Sequence, residues 1–185
     1  MTLSSKNKNK PPTKLLWIDL EMTGLDPEKD VILEIAVEVT DFDFKTLASY
    51  EAVIAQPEGK LEAMNEWSKH QHAASGLIDR IKKNGRAEKD VVHELVGFIG
   101  ALFGDEPAVL AGNSIHNDRN FIRYWWPEVD ALLHYRMLDV SSFKILMQSK
   151  YGEEFKKKEV HRAFDDIQAS IAELQHYLQL LQKNN

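Results

Sequence analysis

The chain contains no cysteine among its 185 residues. Disulfides, zinc knuckles and thiol nucleophiles are thereby excluded, and any metal must be held by Asp, Glu or His. No apolar run approaches the ~18–20 residues of a membrane span. The N-terminal stretch from Met1 to Thr13 is polar and Lys-rich, with Pro11-Pro12 near its end. It has neither the apolar segment of a secretory signal nor the arginines of a transit peptide. We therefore expect a disordered tail over 1–13, with a cytoplasmic protein following it. Positive charge is also in short supply: Lys and Arg number 23 against 29 Asp and Glu, a formal net charge of −6. Proteins that grip long nucleic acid present a broad basic surface, so a nucleic-acid substrate is expected to be short. No internal repeat is visible. The length predicts one domain, over 14–183, with a sizeable core.

What is present is concentrated in Trp17-Ile18-Asp19-Leu20-Glu21-Met22-Thr23-Gly24-Leu25. Two carboxylates stand two residues apart in an apolar run. Residues i and i+2 of a strand share a face, so Asp19 and Glu21 sit side by side and repel. Folding gains little from this, whereas a hard divalent cation favours convergent carboxylate oxygens.

The surrounding pattern predicts strands over Leu15–Glu21, Val31–Asp41 and Leu47–Ala55, with short connections that make an antiparallel meander. Helical pieces follow over Leu61–His72 and Ser75–Lys83, broken at Gly76. Val91, Leu95, Ile99 and Phe103 mark a helix over Asp90–Phe103. Ala108–Gly112 reads as a short strand. A helix from about Asn117 to Trp126 comes next, ended by Pro127. Met137–Val140 reads as a last strand, and Ser141 as N-cap of a helix through Lys150. Tyr151–Val160, with Lys156-Lys157-Lys158, reads as a solvated loop. Phe164, Ile167, Ile171, Leu174, Leu178 and Leu181 form the apolar seam of a final helix. Together these describe an α/β mixed sheet with helices on its faces.

Two further segments carry chemistry. Asp118 follows a short strand at a helix start, within Gly112-Asn113-Ser114-Ile115-His116-Asn117-Asp118. His161-Arg162-Ala163-Phe164-Asp165-Asp166 opens the final helix from a polar loop. Taken alone, Asp118 suits a helix cap and His161 a solvated surface residue. Taken together, Asp19, Glu21, Asp118, Asp166 and His161 match a phosphodiesterase that uses two ions ~4 Å apart. The oxygen-only donor set suits Mg²⁺ or Mn²⁺. A neutral His is a suitable general base, contributing ~10²–10⁴-fold.

The order D-x-E … D … H-x-A-x-x-D resembles that of the DEDDh 3′→5′ exonucleases of the ribonuclease H-like fold. Trp-Ile-Asp-Leu-Glu-Met-Thr-Gly-Leu-Asp, Gly-Asn-Ser-Ile, His-Tyr-Arg-Met-Leu-Asp-Val-Ser and His-Arg-Ala-Phe-Asp-Asp-Ile resemble more closely the oligoribonuclease family within them. The resemblance runs from about Leu15 to Leu181. It implies a five-stranded ribonuclease H-like sheet, three strands antiparallel and two parallel, flanked by helices. It implies that Asp19, Glu21 and Asp166 hold the catalytic ion, that Asp19 bridges to a second, and that Asp118 supports the second through water. His161 would deprotonate the attacking water. The implied reaction releases 5′-mononucleotides from the 3′ end of dinucleotides and other very short RNAs.

The same resemblance makes Leu25 a wedge between two bases, with Trp67 and His72 flanking the 3′ base. Tyr135 would reach in from the partner of a homodimer. Ser114, Arg136, Ser141 and Lys144 would cap the 5′ phosphate. Without the resemblance, Trp67 and Tyr135 would read as core or interface residues, and Leu25 as an ordinary turn residue. His70 competes with His72 for the base contact, and the spacing from Trp67 favours His72. Trp125-Trp126 reads as packing or dimer surface, and His93 and His176 as solvated helix residues.

Overall fold

The computed structural model describes residues 11–156 and 162–183. Residues 1–10 of the tail expected over 1–13, and the loop positions 157–161, His161 included, lie outside the described residues. Three strands run as an antiparallel meander: β1 (Lys14–Met22), β2 (Ile32–Asp41) and β3 (Thr46–Val53). Two more, β4 (Ala108–Gly112) and β5 (Leu133–Asp139), join parallel to β1 and to each other. The sheet order is β3-β2-β1-β4-β5. This is the mixed five-stranded sheet of the ribonuclease H-like fold.

β1 lies at the centre and is covered on both faces, which explains its nearly unbroken apolar run. One face carries Leu16, Ile18 and Leu20. They pack with Val91, Leu95 and Ile99 of α4 (Glu88–Phe103) and Phe121 of α5 (His116–Trp125). The other face carries Leu15 and Trp17, which pack with Ile167, Ile171 and Leu174 of α8 (Ala163–Lys183). Trp17 is buried and donates its indole N–H to Thr40 Oγ1 at 3.0 Å. Each fully buried side chain of this size contributes ~1.5–3 kcal/mol. Residues i+2 and i+4 from Trp17 continue on the α8 face, and they are Asp19 and Glu21. The apolar contact therefore gives way to carboxylates at the C-terminal end of β1, beside the first turn of α8.

Several boundaries differ from the sequence pattern. The region read as one helix over Leu61–His72 is two, α1 (Glu58–Glu62) and α2 (Glu66–Ala74), because Asn65 caps the second by accepting the Ser68 N–H at 2.8 Å. Gly76, with φ of 71°, separates α2 from α3 (Leu77–Asn84) as expected. Pro127 ends α5 but also starts α6 (Pro127–Asp130), since proline at a first helical position forfeits only an orphan N–H. β5 begins at Leu133, four residues before the expected start. Its middle is exposed on a sheet edge, so no apolar alternation announces it. The N-cap of α7 (Val140–Leu146) is Asp139, not Ser141, because the Asp139 carboxylate accepts the Ser141 N–H. The expected helix through Lys150 turns after Leu146 into one π turn, Met147–Tyr151. His176 is not solvated: its ring packs against Phe155 at 5.4 Å and Tyr177 at 5.8 Å. Among the described residues, no helix is long and apolar enough to cross a membrane.

Candidate active site

Asp19 and Glu21 project from the end of β1, and Asp166 from the first turn of α8. One carboxylate oxygen of each lies within 4.8 Å of the others. Asp118, in the first turn of α5, stands behind them, 7% exposed, with Oδ1 accepting the Leu20 N–H at 2.9 Å. That N–H belongs to the residue between Asp19 and Glu21, so Asp118 is tied to the strand that carries them. Asp118 and Asp166 both lie at helix N-termini, where negative charge is favoured.

The electrostatics are strained. Burial pushes the Glu21 carboxyl up to about 8, with Glu34, Asp166 and Asp118 adding repulsion and Arg80 opposing it. Burial likewise raises Asp118 to about 7, opposed by the N–H groups of Leu20 and of Asp118 itself. A convergent, anionic, oxygen-only set of this kind fits a hard divalent cation. Among the described residues, Asp19, Glu21 and Asp166 are able to hold it.

Beyond β1 the chain makes a turn around Asp30. Its Oδ1 accepts the Thr23 hydroxyl at 2.9 Å and its Oδ2 the Asp26 N–H at 3.0 Å. Thr23 Oγ1 in turn accepts the Val31 N–H at 3.0 Å. Gly24 is required here, because a Cβ would come within 2.4 Å of Asp30 Oδ2. The turn presents Leu25, 74% exposed, four residues after Glu21. Trp67 on α2 is also outward, 66% exposed. His72, from the same helix, is only 3% exposed: its Nε2 donates to the Met22 carbonyl at 2.9 Å, and its Nδ1 lies 3.7 Å from Glu21 Oε2. The structure thus places His72 at the floor beside Glu21 and Trp67 at the rim.

A second polar group gathers where β4 and β5 end. Ser114 has φ of 49°, a left-handed conformation that costs a non-glycine residue energy. Its N–H donates to Asp139 Oδ1 at 3.0 Å and to Ser141 Oγ at 2.9 Å, and the two serine oxygens are 3.1 Å apart. Lys144 follows on α7, half-buried. Tyr135 and Arg136 stand exposed on edge strand β5, with the guanidinium 5.0 Å from the Tyr135 ring. In the single chain they face outward.

Sequence reasoning missed Asp139 and Asn113. Asp139 could have been found as the better N-cap of the pair Asp139 and Ser141. Asn113 sits in the Gly-Asn-Ser-Ile motif but carried no assigned role.

The exonuclease family model RNase_T matches residues 16–174. The chain is 43% identical over 170 residues to an oligoribonuclease of Pseudomonas paraeruginosa, covering 90% of this chain and 94% of that one. It is 42% identical to an oligoribonuclease of Thiobacillus denitrificans, covering 90% and 93%. Among solved structures it resembles E. coli exonuclease I in complex with a dT13 oligonucleotide, with a TM-score of 0.63 and 14% identity. That match covers 90% of this chain and 41% of exonuclease I, and it speaks to the fold alone.

Proposed function

The chain belongs to the oligoribonuclease family of exonucleases, and from that premise we propose that it hydrolyses dinucleotides and other very short RNAs from the 3′ end to 5′-mononucleotides. The observation that carries the proposal is the meeting of Asp19, Glu21 and Asp166 within 4.8 Å, with an outward apolar wedge four residues further along. Divalent ions, Mg²⁺ or Mn²⁺, supply Lewis-acid stabilisation of the attacking and leaving oxygens when bound. Asp19, Glu21 and Asp166 would hold one such ion, and Asp19 and Asp118 would serve a second. His161 would remove the proton of the attacking water.

The remaining residues set the substrate. Leu25 separates the two bases, Trp67 stacks at the rim of the 3′ base, and His72 closes the floor beneath it. Base stacking of this kind contributes ~1–3 kcal/mol per base and tolerates any sequence. Ser114, Ser141, Lys144 and Arg136 receive the 5′ phosphate, the arginine offering a planar fork. Tyr135 acts across a homodimer. Tyr135, Met137, Ile145, Leu146 and Tyr151 are all exposed along β5, α7 and the π turn. An apolar run of this kind supports a two-fold interface with a second copy. The enzyme works in the cytoplasm as one catalytic domain per chain, with no membrane and no long nucleic acid as partner.

The test compares end-labelled RNAs of two to ten nucleotides, with and without a 5′ phosphate. Rates should peak sharply at two. Rates that rise with length would instead assign the site to trimming of longer tails. His161→Ala should lower kcat far more than it raises KM, because a base acts in the transition state. Tyr135→Ala should lose activity while remaining dimeric in sedimentation, and a fully active monomer would remove its role across the interface.

A further inference from the structure

Glu173 is a buried carboxylate for which the proposed chemistry has no use. It lies on α8, two turns after Asp166, and is 1% exposed. Tyr177 Oη donates to its Oε1 at 2.9 Å, and Asn113 Nδ2 to its Oε2 at 3.2 Å. Asn113 Nδ2 also donates to Ser170 Oγ at 2.8 Å, and that hydroxyl donates to the Asp166 carbonyl at 2.7 Å. The Ser170 hydroxyl spends its proton on the Asp166 carbonyl and so accepts from Asn113, and the Asn113 amide turns its NH₂ toward α8 and its oxygen away. That oxygen accepts the Ser141 hydroxyl at 3.2 Å. Asn113 is therefore a strut with a fixed direction. One end grips the helix that carries Asp166, and the other holds the Ser141 hydroxyl beside Ser114.

We propose that Asn113, oriented by Glu173, is a positioning residue that sets the distance between the carboxylate cluster and the hydroxyl pair of Ser114 and Ser141. It thereby sets the preference for a 5′-phosphorylated dinucleotide. This rests on the reading that those hydroxyls receive the 5′ phosphate. A substrate spanning the two sites feels any change in their separation at its phosphate end first. Hydrogen bonds to a phosphate are short and directional, whereas base stacking tolerates displacement.

The experiment measures kcat and KM for dinucleotides with and without a 5′ phosphate, in full-length wild type and four variants. Ser141→Ala tests the underlying reading and should collapse the 5′-phosphate preference. Asn113→Ala and Glu173→Leu should reduce that preference about tenfold, the scale of one hydrogen bond to a charged group. The loss should fall in KM for the phosphorylated substrate, whereas general loosening would lower kcat on both. Glu173→Gln should retain the preference, since its amide oxygen accepts from Asn113 while its NH₂ donates to Tyr177 Oη. If Ser141→Ala changes nothing, the 5′-phosphate reading fails and takes the strut with it. If Ser141→Ala collapses the preference but Asn113→Ala shifts it less than twofold, only the strut is overturned. Asn113 is half-buried and its truncation decides the matter even where Glu173→Leu fails to fold.

Discussion

The buried or half-buried carboxylates around β1 and β2 are of two kinds, and they behave oppositely. Glu34 and Glu38 on β2 are each answered by donors. Glu34 takes a two-pronged bond from Arg80, at 2.5 and 2.9 Å, and Glu38 accepts the Thr46 hydroxyl and the Gln168 amide. Next to them, Glu21 is raised to about 8 and Asp118 to about 7 by burial, and Glu21 also by its neighbours' charge. The first kind stabilises the fold. The second kind costs the fold stability, and under the proposed function a cation answers it. Burying a carboxylate is thus no guide to its role, and what answers its charge is.

That contrast can be broken in several ways, beginning with the largest effect. Asp19→Ala or Asp166→Ala should lower Mg²⁺-dependent turnover by ~10³-fold or more, on the scale of losing a transition-state electrostatic contact. The metal-free protein should keep its circular dichroism spectrum and melt no lower than wild type. Retained turnover would remove these residues from the metal site. Glu38→Ala should do the reverse, keeping the metal chemistry while costing ~2–3 kcal/mol in urea unfolding, because a buried cavity and unanswered donors remain.

The pH dependence sharpens the same division. The folded-state values of Glu21 and Asp118 lie above their ordinary 4.5 and 3.8. Their neutral forms are therefore favoured in the folded protein. The stability these two groups contribute is fully present below those ordinary values, and is lost as pH rises through about 7 and about 8. Calorimetry without metal should show a melting temperature falling by ~5 °C or more between pH 5 and pH 9, and Mg²⁺ or Mn²⁺ should restore it at the upper end. Glu21→Gln should flatten this profile, and an unchanged slope would mean that Glu21 does not carry it. The smallest effect concerns the proposed wedge. Asp30→Ala leaves the cluster intact but frees the turn that presents Leu25. KM for a dinucleotide should rise by about threefold, less than for Leu25→Ala, with kcat nearly constant. A larger loss in kcat would show that the turn also supports Glu21.

Much of this was legible in the residues. The i, i+2 spacing of Asp19 and Glu21 places them on one strand face, and the seam of α8 leaves Asp166 off its apolar side. The meander and both long helices announce themselves by period. What could not be read are pairings between distant segments. Glu34 finds Arg80 46 positions away and Glu38 finds Gln168 130 positions away. Periodicity reports which face a residue occupies and is silent about which residue faces it. The first half of edge strand β5 is hidden for a related reason: its exposed centre has no core to write an alternation into its sequence. His72, expected to flank the 3′ base, is buried with its Nε2 bonded to the Met22 carbonyl 50 positions away, a pairing no spacing reports.

The central position of β1 has a further consequence. Its amides from Leu15 to Leu20 are flanked by β2 on one side, in part by β4 on the other, and by packed layers above and below. Local opening events that reach the sheet edges will rarely reach them. In hydrogen–deuterium exchange they should be among the last protons replaced, with or without divalent cation. The strand that bears the least compatible charges is thus also the one least able to move away from them, and the cluster waits already assembled.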